Sequence, residues 1–316
     1  MKVIDKLVPG KTLFSFEILP PQKGSSIDSI YDAIDPLLEF DPSYINVTYH
    51  RQEYIYKKRE KGYLEKVAVR KRPGTVGICA AIKHKYNIDT VPHLICGGFT
   101  KDETENALID LQFLGIDNVL ALRGDPIKTE QVFNPAEGGN QNALELVEQI
   151  MRLKNGQYLD EDVKNPQPLD LCVGVAGYPE KHFEAPNMAT DIHHLKNKID
   201  AGADYIVTQL FFDNTKYFEF VDKCRKAGIT VPIIPGIKPI SRLSHLTFMP
   251  KFFHVDIPET LSIELLKCKT DAEAAEVGKE WAIQQARELI SYNVPSIHFY
   301  TMGKSVQTAA IAKAVY

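Results

Sequence analysis

Glu17 stands in the middle of an apolar run, FSFEILPP, flanked by Phe14, Phe16, Ile18 and Leu19. A carboxylate taken from water into such surroundings is costly unless it is paired, protonated or used in chemistry. Desolvation raises the pKa of a carboxyl group, which suits a general acid working near neutral pH. A salt-bridged structural glutamate is the alternative for this residue taken alone. Other polar residues end apolar runs in the same way. Thr48 closes YINVT, Arg123, Gly124 and Asp125 follow VLAL, Tyr178 follows VGVAG, Gln209 lies in IVTQLFF and Tyr300 in IHFYT. If the fold brings them to one rim, the set is more specific than any member.

Other chemistries find less support. No G-x-G-x-x-G follows a strand-like run, and the isolated pair Gly138-Gly139 reads as a loop before a helix. A dinucleotide would therefore be held by some route other than a Rossmann crevice. The five cysteines, Cys79, Cys96, Cys172, Cys224 and Cys268, are scattered, form no C-x-x-C pair and do not fall at zinc-ligand spacing. They read as buried free thiols. His193 and His194 are neighbours, and adjacent residues on a helix point about 100° apart, so they cannot chelate as an i, i+4 pair would. No metal is expected.

The elements that must position these residues alternate from end to end. Apolar, β-rich runs fall at 13–19, 44–48, 91–96, 118–122, 170–176, 205–211, 231–237 and 296–301. Most are near-continuous, as in strands covered on both faces. Helical patterns lie between them at 26–40, 74–86, 101–114, 140–153, 188–201, 214–227, 241–249 and 272–292, with Ser26, Asp102, Asn214 and Ser241 as candidate N-caps. Eight strands alternating with helices is the count of a single-domain (β/α)8 TIM barrel over residues 1–316, an α/β fold whose active sites lie at the C-terminal ends of the strands. A doubly wound open sheet is the alternative. The segment 51–73, RQEYIYKKREKGYLEKVAVRKRP, breaks the rhythm after the second strand and reads as a basic flap for an anionic ligand, a solvated loop or a subunit contact. The net charge of −4 gives no basic field for nucleic acid or anionic membrane. No apolar run approaches the roughly 18 residues of a membrane span, and the start MKVIDKLVPGKTLFSFEI lacks a secretory core. A cytoplasmic protein is expected.

FSFEILPP, INVTY, PHLIC, LALRGD, GYPEKH, DAGADYIVTQLFFD, IIPGIKP and HFYT occur in this chain in one order, from about residue 13 to about residue 302. In that order and spacing they resemble the methylenetetrahydrofolate reductases, in the short bacterial form that lacks a regulatory C-terminal domain. The resemblance implies FAD as cofactor, NADH or NADPH as co-substrate with NADH favoured by the bacterial look of the chain, and methylenetetrahydrofolate as substrate. It implies a homo-oligomer and ping-pong kinetics in one-carbon metabolism and methionine synthesis. By position, Glu17 resembles the family's catalytic acid and Asp125 the aspartate near pterin and flavin. Gln209 and Tyr300 resemble substrate-side residues. Thr48, His93, Arg123, Gly124 and Asp125 match the flavin lining, and Tyr178, His182, Asp191, His194 and Lys198 match positions around the ribose, diphosphate and adenine. His93 as a core histidine and Lys198 as a solvated helix charge are the alternatives without the resemblance.

The chain also departs from the family's pattern. Asn197 stands where relatives often have arginine near the FAD diphosphate, and His194 where asparagine is frequent. Gly303-Lys304 replaces asparagine-arginine, so Lys304 keeps the charge of a substrate-tail contact but loses the bidentate fork. A further substrate-side position falls near Met249. The flap is expected to supply the missing cations through Lys57, Lys58 and Arg59, for FAD phosphate or a polyglutamate tail. Two other functions remain open here, a flavin-free pterin-binding methyltransferase barrel and a non-catalytic folate-binding barrel. The joint presence of Glu17, Asp125 and Gln209 argues against the silent form.

Overall fold

A two-residue alternation decides the first strand. In β1 (Leu13–Ile18), Phe14, Phe16 and Ile18 turn outward into the main core, where they join Ile30, Ile34 and Leu37, while Ser15 and Glu17 turn into the lumen. The computed structural model describes residues 1–127, 130 and 132–316. In chain order the elements are α1 (Val3–Lys6), β1, α2 (Asp28–Ile34), β2 (Tyr44–Val47), β3 (Glu53–Lys58), β4 (Leu64–Val69), α3 (Thr75–Tyr86), β5 (Asp89–Ile95), α4 (Lys101–Phe113), β6 (Asn118–Leu122), α5 (Ala143–Lys154) and β7 (Cys172–Gly177). They continue through α6 (Met188–Asp200), β8 (Tyr205–Thr208), α7 (Asn214–Lys226), β9 (Ile233–Ile234), β10 (Gly236–Ile237), α8 (His245–Phe253), α9 (Glu259–Lys267), α10 (Asp271–Ser291), β11 (Ser296–Tyr300) and α11 (Val306–Val315).

The strands of the main sheet run parallel in the order β10-β11-β1-β2-β5-β6-β7-β8-β9. β9 and β10 are two halves of one stave, interrupted at Pro235, which has no N–H to give to a ladder. One half pairs with β8 and the other with β11, so the sheet closes on itself. The result is the expected eight-staved barrel and not an open sheet.

The lumen is filled from below by Tyr44, Val91, Leu120, Tyr205 and Ile234, and α1 pushes Val3 into the same cluster. Val3 donates its backbone N–H to Asn118 Oδ1 at 2.7 Å, and Lys6 Nζ lies 2.7 Å from Asp89 Oδ2, so α1 is fastened to the starts of two staves. Gly174 makes room for the Tyr205 ring, since a Cβ there would lie 2.5 Å from it. With the bottom plugged, the lumen is left open toward the C-terminal rim.

Three local expectations shift. Helix α4 is capped by Thr100 in a reciprocal box with Glu103, not by Asp102, and α7 by Asp213, not Asn214. Ser241 caps nothing, because α8 begins at His245. The 51–73 segment contains an antiparallel hairpin, β3 against β4, most of it solvent-exposed. Among the described residues, no helix is long and apolar enough to cross a membrane.

Candidate active site

The parity that sends Phe14 and Phe16 outward sends Glu17 into a cavity of about 660 Å³ at the C-terminal ends of the staves. Glu17 is only 8% exposed, and among the described residues none gives its carboxyl a hydrogen bond. His93 Nε2 lies 3.6 Å from its Oε2. That contact is not an ion pair at neutral pH. Burial pushes the Glu17 carboxyl up to about 8 against the pull of the Lys238 ammonium, and burial pushes His93 down to about 3. Asn46 Nδ2 stands 3.2 Å from His93 Nε2, so the amide donates and the imidazole carries its proton on Nδ1. His298 completes the polar floor. Its Nδ1 lies 3.0 Å from Ser15 Oγ, its Nε2 has no partner among the described residues, and burial pushes it down to about 3. Glu17 is therefore a buried acid whose proton desolvation holds, with neutral imidazoles beside it and the Lys238 ammonium opposing.

Tyr300 lies beside Glu17 in the register of β11 and β1, and its hydroxyl donates to the Thr208 carbonyl at 2.6 Å. The ring crosses Gly236 to do so. A Cβ there would lie 2.5 Å from the Tyr300 ring and 2.4 Å from Thr208 O, so only glycine leaves the crossing open. Thr301 Oγ1 donates to the Glu17 carbonyl at 2.6 Å and fixes the backbone that carries the acid. Gln209 Oε1 accepts from the Leu210 N–H at 2.8 Å, and its amide nitrogen has no acceptor among the described residues. Gly124 and Asp125 also line the cavity, with Asp125 on the exposed rim.

At the other end of the cavity, Lys198 donates from Nζ to the Ala176 carbonyl at 2.9 Å, and burial lowers its pKa to about 8 against the field of Asp191. Asp191 Oδ2 accepts from the His182 N–H at 2.9 Å. The His182 ring meets Tyr178 edge-on, with centroids 4.7 Å apart. Arg123 is paired with Glu184 through both guanidinium arms and lies over the Phe133 ring at 4.9 Å. That pairing draws the Glu184 carboxyl below its ordinary value. His194 and Asn197 complete this end.

The structure thus gathers Glu17, His93, Arg123, Gly124, Asp125, Tyr178, His182, Asp191, His194, Lys198, Gln209 and Tyr300 around one cavity. Four of the expected positions stand apart from this lining. Thr48 is outside the lining, its hydroxyl turned 3.2 Å from His50 Nε2. Lys304 is exposed on the turn after β11, where Met302 faces the cavity instead. Met249, on α8, is fully buried in the cluster beneath that helix's inner face, and Phe253, one turn later, is the residue that reaches the wall. Lys57, Lys58 and Arg59 sit on the exposed hairpin, outside the lining, with Arg59 bound to Glu65. Sequence reasoning missed Asn46, Glu184, Lys238 and His298. Lumen parity would have found Asn46 and His298, two residues on from Tyr44 and two before Tyr300. Lys238 follows an apolar strand as Arg123 does.

Among the described residues, no group of three or more His, Cys, Asp or Glu is arranged to hold a metal. All five cysteines are free, four of them buried.

Residues 2–316 match the family model described as methylenetetrahydrofolate reductase. The chain is 33% identical to "Methylenetetrahydrofolate reductase (NADH) 1" of Arabidopsis thaliana, covering 96% of this chain and 48% of that protein. It is 31% identical to "Probable methylenetetrahydrofolate reductase (NADPH)" of Caenorhabditis elegans, covering 99% and 43%. To the "5,10-methylenetetrahydrofolate reductase" of Salmonella typhimurium it is 30% identical, covering 96% and 90%. It spans about half the length of the plant and animal relatives and most of the bacterial one. The match runs through every stave that carries a site residue, and the chain belongs to the methylenetetrahydrofolate reductase family.

Proposed function

We propose that this chain reduces 5,10-methylenetetrahydrofolate to 5-methyltetrahydrofolate with electrons from NADH or NADPH, using FAD in the cavity at the barrel's C-terminal rim. The observation that carries the reading is Glu17, buried and without a hydrogen-bond partner among the described residues, sharing one cavity with Gln209, Tyr300 and Asp125. A folate-binding barrel without chemistry has no need to desolvate an acid there.

The residues fit a flavin dinucleotide. Asn46 Oδ1 and His298 Nε2 are buried polar atoms without a partner among the described residues, and both residues line the cavity. A ring with donor and acceptor edges would satisfy them. Leu120, Ala176 and Val207 supply an apolar wall, and Lys198 supplies a cation for a diphosphate at the far end. A bound flavin supplies the redox step. Arg123 is already paired with Glu184, which leaves Lys198 to supply the charge that Asn197 lacks.

The chain's own chemistry centres on one proton. Opening the five-membered ring of the substrate requires a proton on the departing N10, because otherwise an amide-like anion would have to leave. Glu17, whose proton burial holds to about pH 8, gives it in this reading. Asp125 on the rim offers a carboxylate to complement the cationic iminium that ring opening creates. Gln209 and Tyr300 orient the pterin. Donor and folate occupy one cavity in turn, so the kinetics are ping-pong. The relatives named for NADH and for NADPH both support a nicotinamide donor, and NADH is proposed here. A homo-oligomer and a cytoplasmic setting belong to the same reading.

The test is a spectrum. The purified protein should be yellow, bleach with NADH and recover its colour with methylenetetrahydrofolate. Glu17→Gln should still bleach but fail to recover. A colourless protein that moves a methyl group would replace this reading with a methyltransferase.

A further inference from the structure

Three neighbouring staves carry a row of polar side chains that the reaction above does not fully use. Gly236 pairs with His298 and Ile237 with Phe299, so the next step along β10 brings Lys238 level with Tyr300. Tyr300 is in turn level with Glu17 across β11 and β1. With parallel strands about 4.8 Å apart, the Lys238 and Glu17 backbones are about 10 Å apart, with one stave between them. Tyr300, the residue on that stave, leans away across Gly236 to reach the Thr208 carbonyl at 2.6 Å. Glu17 and Lys238 both line the cavity and feel each other's charge across it.

The other groups around the pair are neutral or repel it. Glu17 faces His93 from β5 and His298 and Tyr300 from β11, all uncharged at pH 7 because burial opposes their charged forms. Arg242 and Lys304 repel the Lys238 charge, and burial and the nearby cations keep His245 neutral despite Asp271. Lys238 is thus the formal cation acting on Glu17, and Glu17 the formal anion acting on Lys238.

We infer that Lys238 is a positioning residue for the proton donor: its ammonium faces Glu17 across the cavity and takes up the negative charge that Glu17 acquires on giving its proton to the substrate's amine nitrogen. The inference rests on the proton-donor role proposed above. In the step itself the Glu17 O–H bond breaks and its electron pair stays on the carboxylate. The nitrogen leaving the one-carbon bridge keeps the pair of the broken C–N bond and uses it for the new N–H. The other nitrogen of the bridge donates its lone pair to form the iminium. Left alone, the new carboxylate would be a buried, unpaired charge, which the cavity disfavours strongly. The ammonium offsets that charge and leaves Asp125 free to face the iminium.

The test follows the Glu17 carboxyl directly in the ligand-free protein. Difference infrared spectra across pH give its protonated C=O band, assigned by its loss in Glu17→Gln. In Lys238→Met the midpoint should rise by about one pH unit or more, a tenfold gain in proton affinity, and Lys238→Arg should bring it back. In turnover at pH 7, kcat of the folate step should fall about tenfold in Lys238→Met with little change in KM, since the cation acts on the charge formed during reaction. Should the methionine variant fold poorly, Lys238→Gln gives the same readout. An unmoved carboxyl midpoint in the folded methionine or glutamine variant overturns the inference, as does an arginine variant that fails to restore it. Absence of folate reduction by the unaltered protein would instead overturn the function proposed above, which the infrared titration does not depend on.

Discussion

Replacing Glu17 by glutamine should remove folate reduction and at the same time stabilise the protein, by an amount that depends on pH. The folded state holds the Glu17 carboxyl at about 8, against 4.5 for the ordinary value. Below 4.5 both folded and unfolded chains keep the proton and the group contributes no difference. Between 4.5 and 8 the unfolded chain sheds a proton that the folded chain retains, so the stability of the unaltered protein falls as pH rises through this window. The linked cost is about 3 kcal/mol at pH 7 and approaches about 5 kcal/mol above pH 8, where both states are ionised. Glutamine has nothing to ionise and avoids it. The assay is urea unfolding of both proteins at pH 5, 6, 7 and 8. Readings stop there because Lys238 and Lys198, both pushed down to about 8, begin to lose their own protons. The advantage of Glu17→Gln should be small at pH 5 and widen to several kcal/mol at pH 8. An advantage that stays flat with pH, or a glutamine variant that is less stable throughout, would show that Glu17 is not a desolvated acid.

Lys198→Met should weaken flavin binding about tenfold, near 1.4 kcal/mol, measured by the fluorescence of released flavin on dilution. Gly236→Ala places a methyl group 2.4 Å from Thr208 O and 2.5 Å from the Tyr300 ring. It should cost about 1–3 kcal/mol in thermal stability and, if Tyr300 swings away instead, raise KM for the folate. Neutralising Lys57, Lys58 and Arg59 together tests the flap. These residues lie outside the cavity lining, so flavin affinity should be unchanged, and a tenfold loss would place the hairpin over the phosphates.

The fold is legible in this sequence for a physical reason that also hides part of the site. Staves covered by helices outside and by one another inside become long apolar runs, and residues such as Phe14, Phe16, Ile45 and Val47 mark their outer faces plainly. The inner faces obey the same two-residue period but carry whatever the lumen needs. Tyr44 and Asn46 on β2, and Ser296, His298 and Tyr300 on β11, alternate with that apolar face and read as ordinary strand residues until the barrel closes around them. Glu17 stands out because a carboxylate in an apolar run has one bland reason to be there, a salt bridge. An asparagine or a histidine has several, so Asn46 and His298 pass unnoticed. Lys238 illustrates a different limit. It ends an apolar stave, as Arg123 and Gln209 do, but Pro239 and the IIPGIKP motif make it look like part of a turn. Sequence supplies the residue and its place on the rim. What it cannot supply is the register of three staves that sets the ammonium level with the acid, and that register follows from closure alone. The cation that answers Glu17 is thus a product of topology: on an open sheet, with β10 and β1 at opposite sides of a break, the same two residues would have no charge to share.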